Sequence, residues 1–113
     1  MIEKIVYDYL NSLDLNASAY TEIPKNVPSK FYLIEKTGSI TADRITTSTV
    51  AIQSYAESLL DAISLNEDLK TAMLDGLISL ETVSGVSLNS DYNYTDTTTK
   101  RYRYQAVFVI THY

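Results

Sequence analysis

Few residues of this chain could do chemistry. It has one histidine, His112, and no cysteine, which excludes disulfides, thiolate metal sites, cysteine nucleophiles and histidine-rich metal centres. A serine protease-like triad would need His112 as its base, and the sequence assigns no serine to it. The carboxylates concentrate on a stretch with helical spacing, which favours a solvated acidic face over a metal site. We therefore predict no catalytic residues, no cofactor site and no metal site.

The other chemically suggestive feature is a basic and aromatic stretch, KRYRY, at 100–104. Cations mixed with aromatic rings are typical of single-stranded nucleic-acid binders. In a β-strand, however, the arginines share one face and the tyrosines the other, so stacking and phosphate contacts would not converge. The net charge of −5, from 14 acidic and 9 basic residues, also disfavours general phosphate binding. We infer instead that these arginines pair with an acidic surface of a neighbouring subunit.

Length and composition place these residues in a single domain covering 1–113. The chain has 113 residues, of which 45% are hydrophobic and 20% charged, as in ordinary globular domains. Ten tyrosines and no tryptophan suit either contact surfaces or half-buried sheet faces. No apolar run approaches the length of about 20 residues that spans a bilayer, and MIEKIVYDYL lacks signal-peptide character. We expect no membrane association.

Apolar spacing predicts the first elements. Residues 2–13 carry an apolar stripe at helical steps, which predicts an amphipathic helix packed on the core. Residues 19–23 are expected to form a short edge strand, because prolines follow closely. The segments 30–37 and 44–53 are rich in aromatic and β-branched residues, so we predict an antiparallel hairpin with an irregular tip at 38–43.

The middle of the chain predicts two consecutive helices. Capping-box signatures occur twice, at Ser54 with Glu57 and at Ser64 with Glu67. A second start signal implies that the first helix ends before it. We therefore predict helices over about 55–63 and 65–75, with Gly76 as the stop.

The last third predicts two further strands. Residues 78–88 form the first, with a bulge at Gly85, and 89–99 form a flexible hairpin loop or a strand extension. Residues 101–113 form a central strand whose apolar part, 106–110, is expected to be covered on both sides. The order predicts an α+β fold, with an antiparallel or mixed sheet of four to five strands. An N-terminal helix and two consecutive central helices would pack on one face of that sheet.

This order of elements resembles the small tail-completion, or tail-terminator, proteins of long-tailed bacteriophages and prophages. The similarity lies in FYLIEKTGSI, in RITTSTVAIQSYAESLLDAI, where a polar strand enters a helix directly, and in the closing TTTKRYRYQAVFVITHY. With the N-terminal helix, it covers nearly the whole chain.

The resemblance implies a non-enzymatic virion component. Copies would form a ring, a hexamer in that family, that caps the tail tube and docks on the head-completion or connector protein. DNA would pass through the ring without being specifically bound. The protein would reside in the virion neck, and in the bacterial cytoplasm during assembly.

The last quarter of the chain contains the expected subunit contacts. Tyr92, Tyr94, Arg101 and Arg103 are the candidate subunit-contact residues, and simple solvent exposure is the competing interpretation of each. Three other functions stay open: another neck or head-completion adaptor, a host protein-binding module that uses an open sheet edge, and a single-strand binder.

Overall fold

The computed structural model describes residues 1–96 and 101–113. In chain order the elements are α1 (Ile2–Ser12), β1 (Ser18–Tyr20), β2 (Phe31–Ala42), β3 (Ile45–Ala56), α2 (Leu59–Gly76), a 3-10 turn (Leu77–Ser79), β4 (Val83–Asn93) and β5 (Tyr102–His112). The five strands form one sheet in the order β1-β2-β3-β5-β4. The predicted α+β class is therefore confirmed.

The sheet is mixed. β1 pairs parallel to β2, whereas β2 with β3, β3 with β5, and β5 with β4 are antiparallel. The last strand, β5, lies between β3 and β4, in agreement with the interior position predicted for 101–113. Of its apolar run, Ala106, Phe108 and Ile110 are fully buried, while Val107 and Val109 on the other side are half-buried. Coverage of this strand is thus complete on the helix side alone.

The N-terminal helix forms as predicted. Ile2, Val6 and Leu10 are buried on one stripe of α1, and charged residues lie on the opposite side. These side chains belong to the same core cluster as the buried face of the sheet. Burial of this stripe stabilises a helix that is too short to persist alone.

The prediction of two central helices is wrong, because the described chain contains one continuous helix there, α2. The helix starts later than expected: Ser58 is its N-cap and accepts a hydrogen bond from the Asp61 amide at 3.2 Å. Ser54, the expected cap, is instead fully buried in β3. Ser64 is exposed and the helix passes through it, since an unbroken buried stripe spans it. That stripe consists of Ala62, Leu65, Leu69 and Met73.

The first hairpin is longer than predicted, and its turn lies at the far end of the predicted tip. The expected tip at 38–43 is mostly strand, with a bulge between Lys36 and Gly38. The chain reverses at Asp43 and Arg44, which have φ angles of 52° and 67°. Two consecutive residues with positive φ fit a two-residue turn matched to the strand twist. The turn was predicted at Gly38 because glycine is a common turn residue, but the pairing of β2 with β3 continues past it.

Two edge elements also differ from their predictions. The strand expected at 19–23 is shorter, Ser18–Tyr20, and lies at the edge but runs parallel to β2. β4 begins at Val83, so residues 78–79 belong to the 3-10 turn; the bulge predicted near Gly85 is present. For 89–99, predicted as a hairpin loop or a strand extension, residues up to Asn93 extend β4, and 97–100 lie outside the described residues.

Both helices pack on one face of the sheet. The core between them is built from buried side chains of all the strands, and Tyr32 donates from its hydroxyl to the Leu65 carbonyl at 3.0 Å. Burial, with the negative charge of Asp68 nearby, raises the pKa of Tyr32. The opposite face, here called the open face, is covered by no helix of the described chain.

Candidate interaction surface

The register of the strands shows which side chains lie on the open face. Alternate residues of neighbouring strands share a face, so one row holds Phe31, Tyr55 and Arg103. The next row holds Leu33, Gln53, Gln105 and Tyr92. We call the group formed by Tyr55, Tyr92, Tyr94, Arg101 and Arg103 the Tyr–Arg cluster.

Arg103 is the centre of the Tyr–Arg cluster. Its Nε donates to the Tyr94 carbonyl at 2.6 Å, and its Nη1 donates to the Tyr55 hydroxyl at 2.9 Å. The guanidinium carbon lies 4.3 Å from the centroid of the Tyr94 ring and 5.8 Å from that of Tyr55. Stacking on one ring and hydrogen bonding in two directions use the planar fork that a lysine lacks. The side chain is therefore held in one orientation.

A chain of side-chain hydrogen bonds extends from Arg103 across three strands. Tyr55 donates to Gln53 at 3.3 Å, and Gln53 donates to Gln105 at 2.8 Å. Gln105 in turn donates to the Tyr92 hydroxyl. Both glutamines are buried, so their amides depend on these partners. The network fixes the base of the cluster, whereas Tyr92 and Tyr94 remain 41% and 44% exposed.

Arg101 also lies close to the Tyr55 ring. Its guanidinium carbon is 5.6 Å from the centroid of Phe31 and 5.8 Å from that of Tyr55. Those two rings stack on each other with centroids 4.5 Å apart and planes 6° from parallel. Tyr92 and Tyr94 meet edge to face at 5.9 Å. Cations and aromatic rings are thus interleaved over one end of the open face.

The structure brings all four predicted contact residues together. Tyr92, Tyr94, Arg101 and Arg103 lie at one end of the open face, joined directly or through Tyr55. Tyr55, however, was assigned to a helix by the capping signature at Ser54. Residues 50–56 are all buried, so no alternation marks Tyr55 as part of a strand; its pairing with Phe31 and Arg103 places it there.

The argument against nucleic-acid stacking also changes. The tyrosines at 102 and 104 do point away from Arg101 and Arg103, as strand alternation predicts. The rings of Phe31, Tyr55 and Tyr94 come from other parts of the chain and converge on those arginines. Local alternation could not reveal this, because the converging rings belong to different strands and loops.

His112 has a serine partner that the sequence did not assign. Ser48 Oγ lies 2.8 Å from His112 Nε2, where β3 and β5 pair on the helix side. A nucleophilic serine must reach a substrate, and Ser48 is only 1% exposed. The pair satisfies two buried polar groups, and we assign it to the stability of the sheet.

A charged pair connects α2 with β4. Lys70 Nζ lies 2.9 Å from Asp91 Oδ2, and buried Asn66 donates to the same oxygen at 3.0 Å. The hydrogen bond from Lys70 lowers the pKa of Asp91, and charge attraction and the bond from Asn66 act in the same direction. The same bond raises the pKa of Lys70. The pair holds the helix on the sheet in its charged form.

Metal-binding clusters and membrane-spanning helices are absent from the described residues. Within 1–96 and 101–113, no three His, Asp or Glu side chains are grouped so as to hold a metal ion. No helix in these segments is long and apolar enough to cross a bilayer.

Comparison with known proteins adds no assignment. No protein-family model matches the chain, and a search of curated proteins finds no significantly similar sequence.

Proposed function

We propose that this chain is a structural virion protein of a phage or prophage. It forms a ring at the head-proximal end of the tail tube, ends tail assembly and joins the tail to the head. The proposal combines the sequence resemblance with one structural observation. That observation is the Tyr–Arg cluster, held rigid on a sheet face without a covering helix in the described chain.

The cluster has the composition and rigidity of a protein contact. Tyrosine and arginine are enriched among residues that dominate binding energy at interfaces. Arg103 and Tyr92 are anchored from below by Tyr55 and Gln105, so binding would order few additional side chains. A contact surface that is already ordered favours assembly into a particle.

Charge is compatible with a passage for DNA. Six copies at −5 each carry −30, so the ring as a whole repels the phosphate backbone. The described arginines of the cluster, Arg101 and Arg103, already lie over aromatic rings. In this proposal the protein has no catalytic role and no cofactor; its partners are further copies of itself, the tail-tube protein and the head connector.

The test is assembly of the purified chain, alone and on isolated tail tubes. We expect light scattering or native mass spectrometry to show a ring, and electron microscopy to show caps at one end of the tubes. Particles lacking the chain should show full heads with detached, over-long or unfinished tails. A strict monomer that also fails to decorate tubes would contradict the proposal.

Variants connect this test to the Tyr–Arg cluster. Tyr94→Ala and Arg103→Ala should weaken ring formation or tube binding. Tyr102→Ala and Arg44→Ala are matched controls, since Tyr102 projects from the opposite face of the same strand and Arg44 lies at the hairpin turn. Equal effects of cluster and control substitutions would show that the cluster is not the contact. Capping of connectors in place of tubes would identify a head-completion adaptor instead.

A single-strand binder is the second candidate, because Arg101 and Arg103 converge with aromatic rings from several strands. Phe31 and Tyr55 are buried, however, and Arg103 already lies over Tyr94, which leaves little ring surface for bases. Filter binding at low salt tests this function. Retention of single-stranded DNA that is lost in Arg103→Ala but kept in Arg44→Ala would favour it.

A further inference from the structure

One edge of the sheet has an unpaired stretch. β1 covers β2 only at Phe31–Leu33, so β2 from residue 34 to residue 42 has a strand on one side only, among the described residues. Nine residues of strand extend about 30 Å. An open groove lined by Tyr7, Ile23 and Ile34 continues from the end of β1 along this edge. The edge therefore has space for a further strand.

This stretch lacks the usual features that protect a sheet edge. Residues 37–42, TGSITA, include no charged residue and no proline, and Ile40 is 76% exposed. Charged side chains and prolines are the common means of preventing edge pairing. The protective features of this strand, which are the charged side chains of Glu35 and Lys36 and the bulge after Lys36, all lie in its inner half. The outer half of the edge is thus suited to backbone pairing.

The opposite edge of the sheet, β4, is a matching surface. Among the described residues β4 pairs with β5 alone, and residues 83–90, VSGVSLNS, are uncharged. Copies with a net charge of −5 repel one another, so the electrostatic repulsion is smallest where two uncharged surfaces meet. Residues 37–42 of β2 and 83–90 of β4 meet that condition.

The register places the two edges at the same height. Through β3 and β5, Ile34 shares a cross-strand row with Asp91 of β4. By the same pairings, Thr41 shares a row with Val83, and Gly38 with Ser87. β2 and β4 also point in opposite directions, because three successive pairings between them are antiparallel. If a second copy is rotated about an axis parallel to the strands, its β4 runs antiparallel to β2 of the first copy. The second copy need not be shifted along that axis.

We propose that β2 of one copy, at residues 34–42, pairs antiparallel with β4 of a second copy. The contact joins two different surfaces, so repetition produces a closed ring or an open filament and not a two-fold dimer. The inference rests on the proposed function, and it specifies which surfaces would join the subunits. The Tyr–Arg cluster lies beside β4 and would extend the same interface.

Cross-linking tests this pairing directly, because the natural chain has no cysteine. Ile40→Cys and Ser87→Cys place thiols on the open-face side of each edge, at exposed positions. With a flexible bis-maleimide, the double variant should give a ladder of dimer, trimer and higher species on denaturing gels. Each single variant should stay monomeric, since every contact then holds one thiol.

Two outcomes would overturn the pairing. Dimers from Ile40→Cys alone would mean that β2 meets β2 symmetrically. A double variant without cross-links, while the chain still forms rings in light scattering, would mean that the ring uses other surfaces; the proposed function would then survive. Failure of the natural chain both to self-associate and to decorate tubes would remove the function and this inference together.

A charge placed in the edge provides a second readout. Ile40→Glu should weaken self-association by about tenfold or more, because a carboxylate replaces an apolar contact between acidic copies. Leu60→Glu is the matched control, since Leu60 is 77% exposed on α2 and belongs to neither edge strand. Circular dichroism should show both variants folded. Equal association constants for the two variants would contradict the role of the β2 edge.

Discussion

The last residue of α2, Gly76, lies against the hydroxyl group of Tyr9 on α1. A methyl group built on Gly76 would overlap the Tyr9 Oη and lie 3.2 Å from its Cζ. The same hydroxyl donates to the Ala72 carbonyl at 2.8 Å. Gly76 has φ −117° and ψ −32°, which other residues also adopt. The close approach of Tyr9, and not the backbone conformation, therefore requires glycine here.

We predict that Gly76→Ala destabilises the protein. Replacing glycine by alanine in a helix usually stabilises it by about 1 kcal/mol. Here the tyrosine must move, which costs about 1 kcal/mol for its hydrogen bond and about 1–3 kcal/mol for crowding. We expect the free energy of unfolding to fall by about 1–3 kcal/mol net.

Tyr9→Phe should relieve the effect of Gly76→Ala. By itself, Tyr9→Phe should cost about 1 kcal/mol, for the lost hydrogen bond. In the Phe background the closest atom is a ring carbon at 3.2 Å, which a small rotation of the ring accommodates. Gly76→Ala should then be neutral or stabilising, and the coupling between the two substitutions should be about 1.5 kcal/mol or more.

Urea denaturation of the four proteins, followed by circular dichroism, measures this cycle. Thermal midpoints should shift by roughly 4 °C per kcal/mol. Gly38→Ala is the control, since a methyl group there would meet nothing within 4 Å. The reasoning fails if Gly76→Ala stabilises the natural chain, or if its cost is the same with Phe at position 9.

Three further substitutions test other parts of the fold. Arg44→Gly should stabilise the hairpin by about 0.5–1 kcal/mol, because glycine adopts the φ of 67° at this position without strain. Chemical denaturation measures this change, and a loss of stability would mean that the turn is not strained there. Ser48→Ala should cost about 1–2 kcal/mol by leaving His112 Nε2 without its partner, and an unchanged thermal midpoint would exclude that bond. Lys70 lowers the pKa of Asp91 below its ordinary 3.8, so the pair stabilises the fold above about pH 4 and loses that contribution as the pH falls through the lowered pKa. Asp91→Asn should therefore cost about 1.5 kcal/mol at pH 7, and its difference from the natural chain should shrink in acid; an equal difference at both pH values would contradict the pairing.

Much of the fold was predictable because its signals are local. The apolar stripe of α1 and the alternation of β5 each lie within one short segment, and both elements form close to their predicted bounds. The bulge near Gly85 also follows a local residue type. The helix α2 ends at Gly76 as predicted, although this glycine does not have the left-handed conformation of a helix stop. In such segments the periodic burial that the sequence encodes agrees with the final packing.

The errors arose where one local signal competed with another. Ser54 and Ser58 both offer a cap, and the deciding factor is that β5 pairs with β3 as far as Ala56. Gly38 offers a turn, but pairing with Thr49 keeps it in the strand. Which signal prevails depends on partners that are distant in the sequence, so a local pattern could not rank them.

The sequence by itself determined the α+β class, the interior position of the last strand and the lack of thiol chemistry. It also singled out Tyr92, Tyr94, Arg101 and Arg103, whose role as subunit contacts stays a prediction. Only the tertiary structure decided that these residues meet Tyr55 in one network, that Ser48 meets His112, and that Gly76 must leave room for Tyr9. Residue type and periodicity are properties of a segment, whereas the side chains that touch are set by strand register and helix docking. Those depend on packing between segments far apart along the chain.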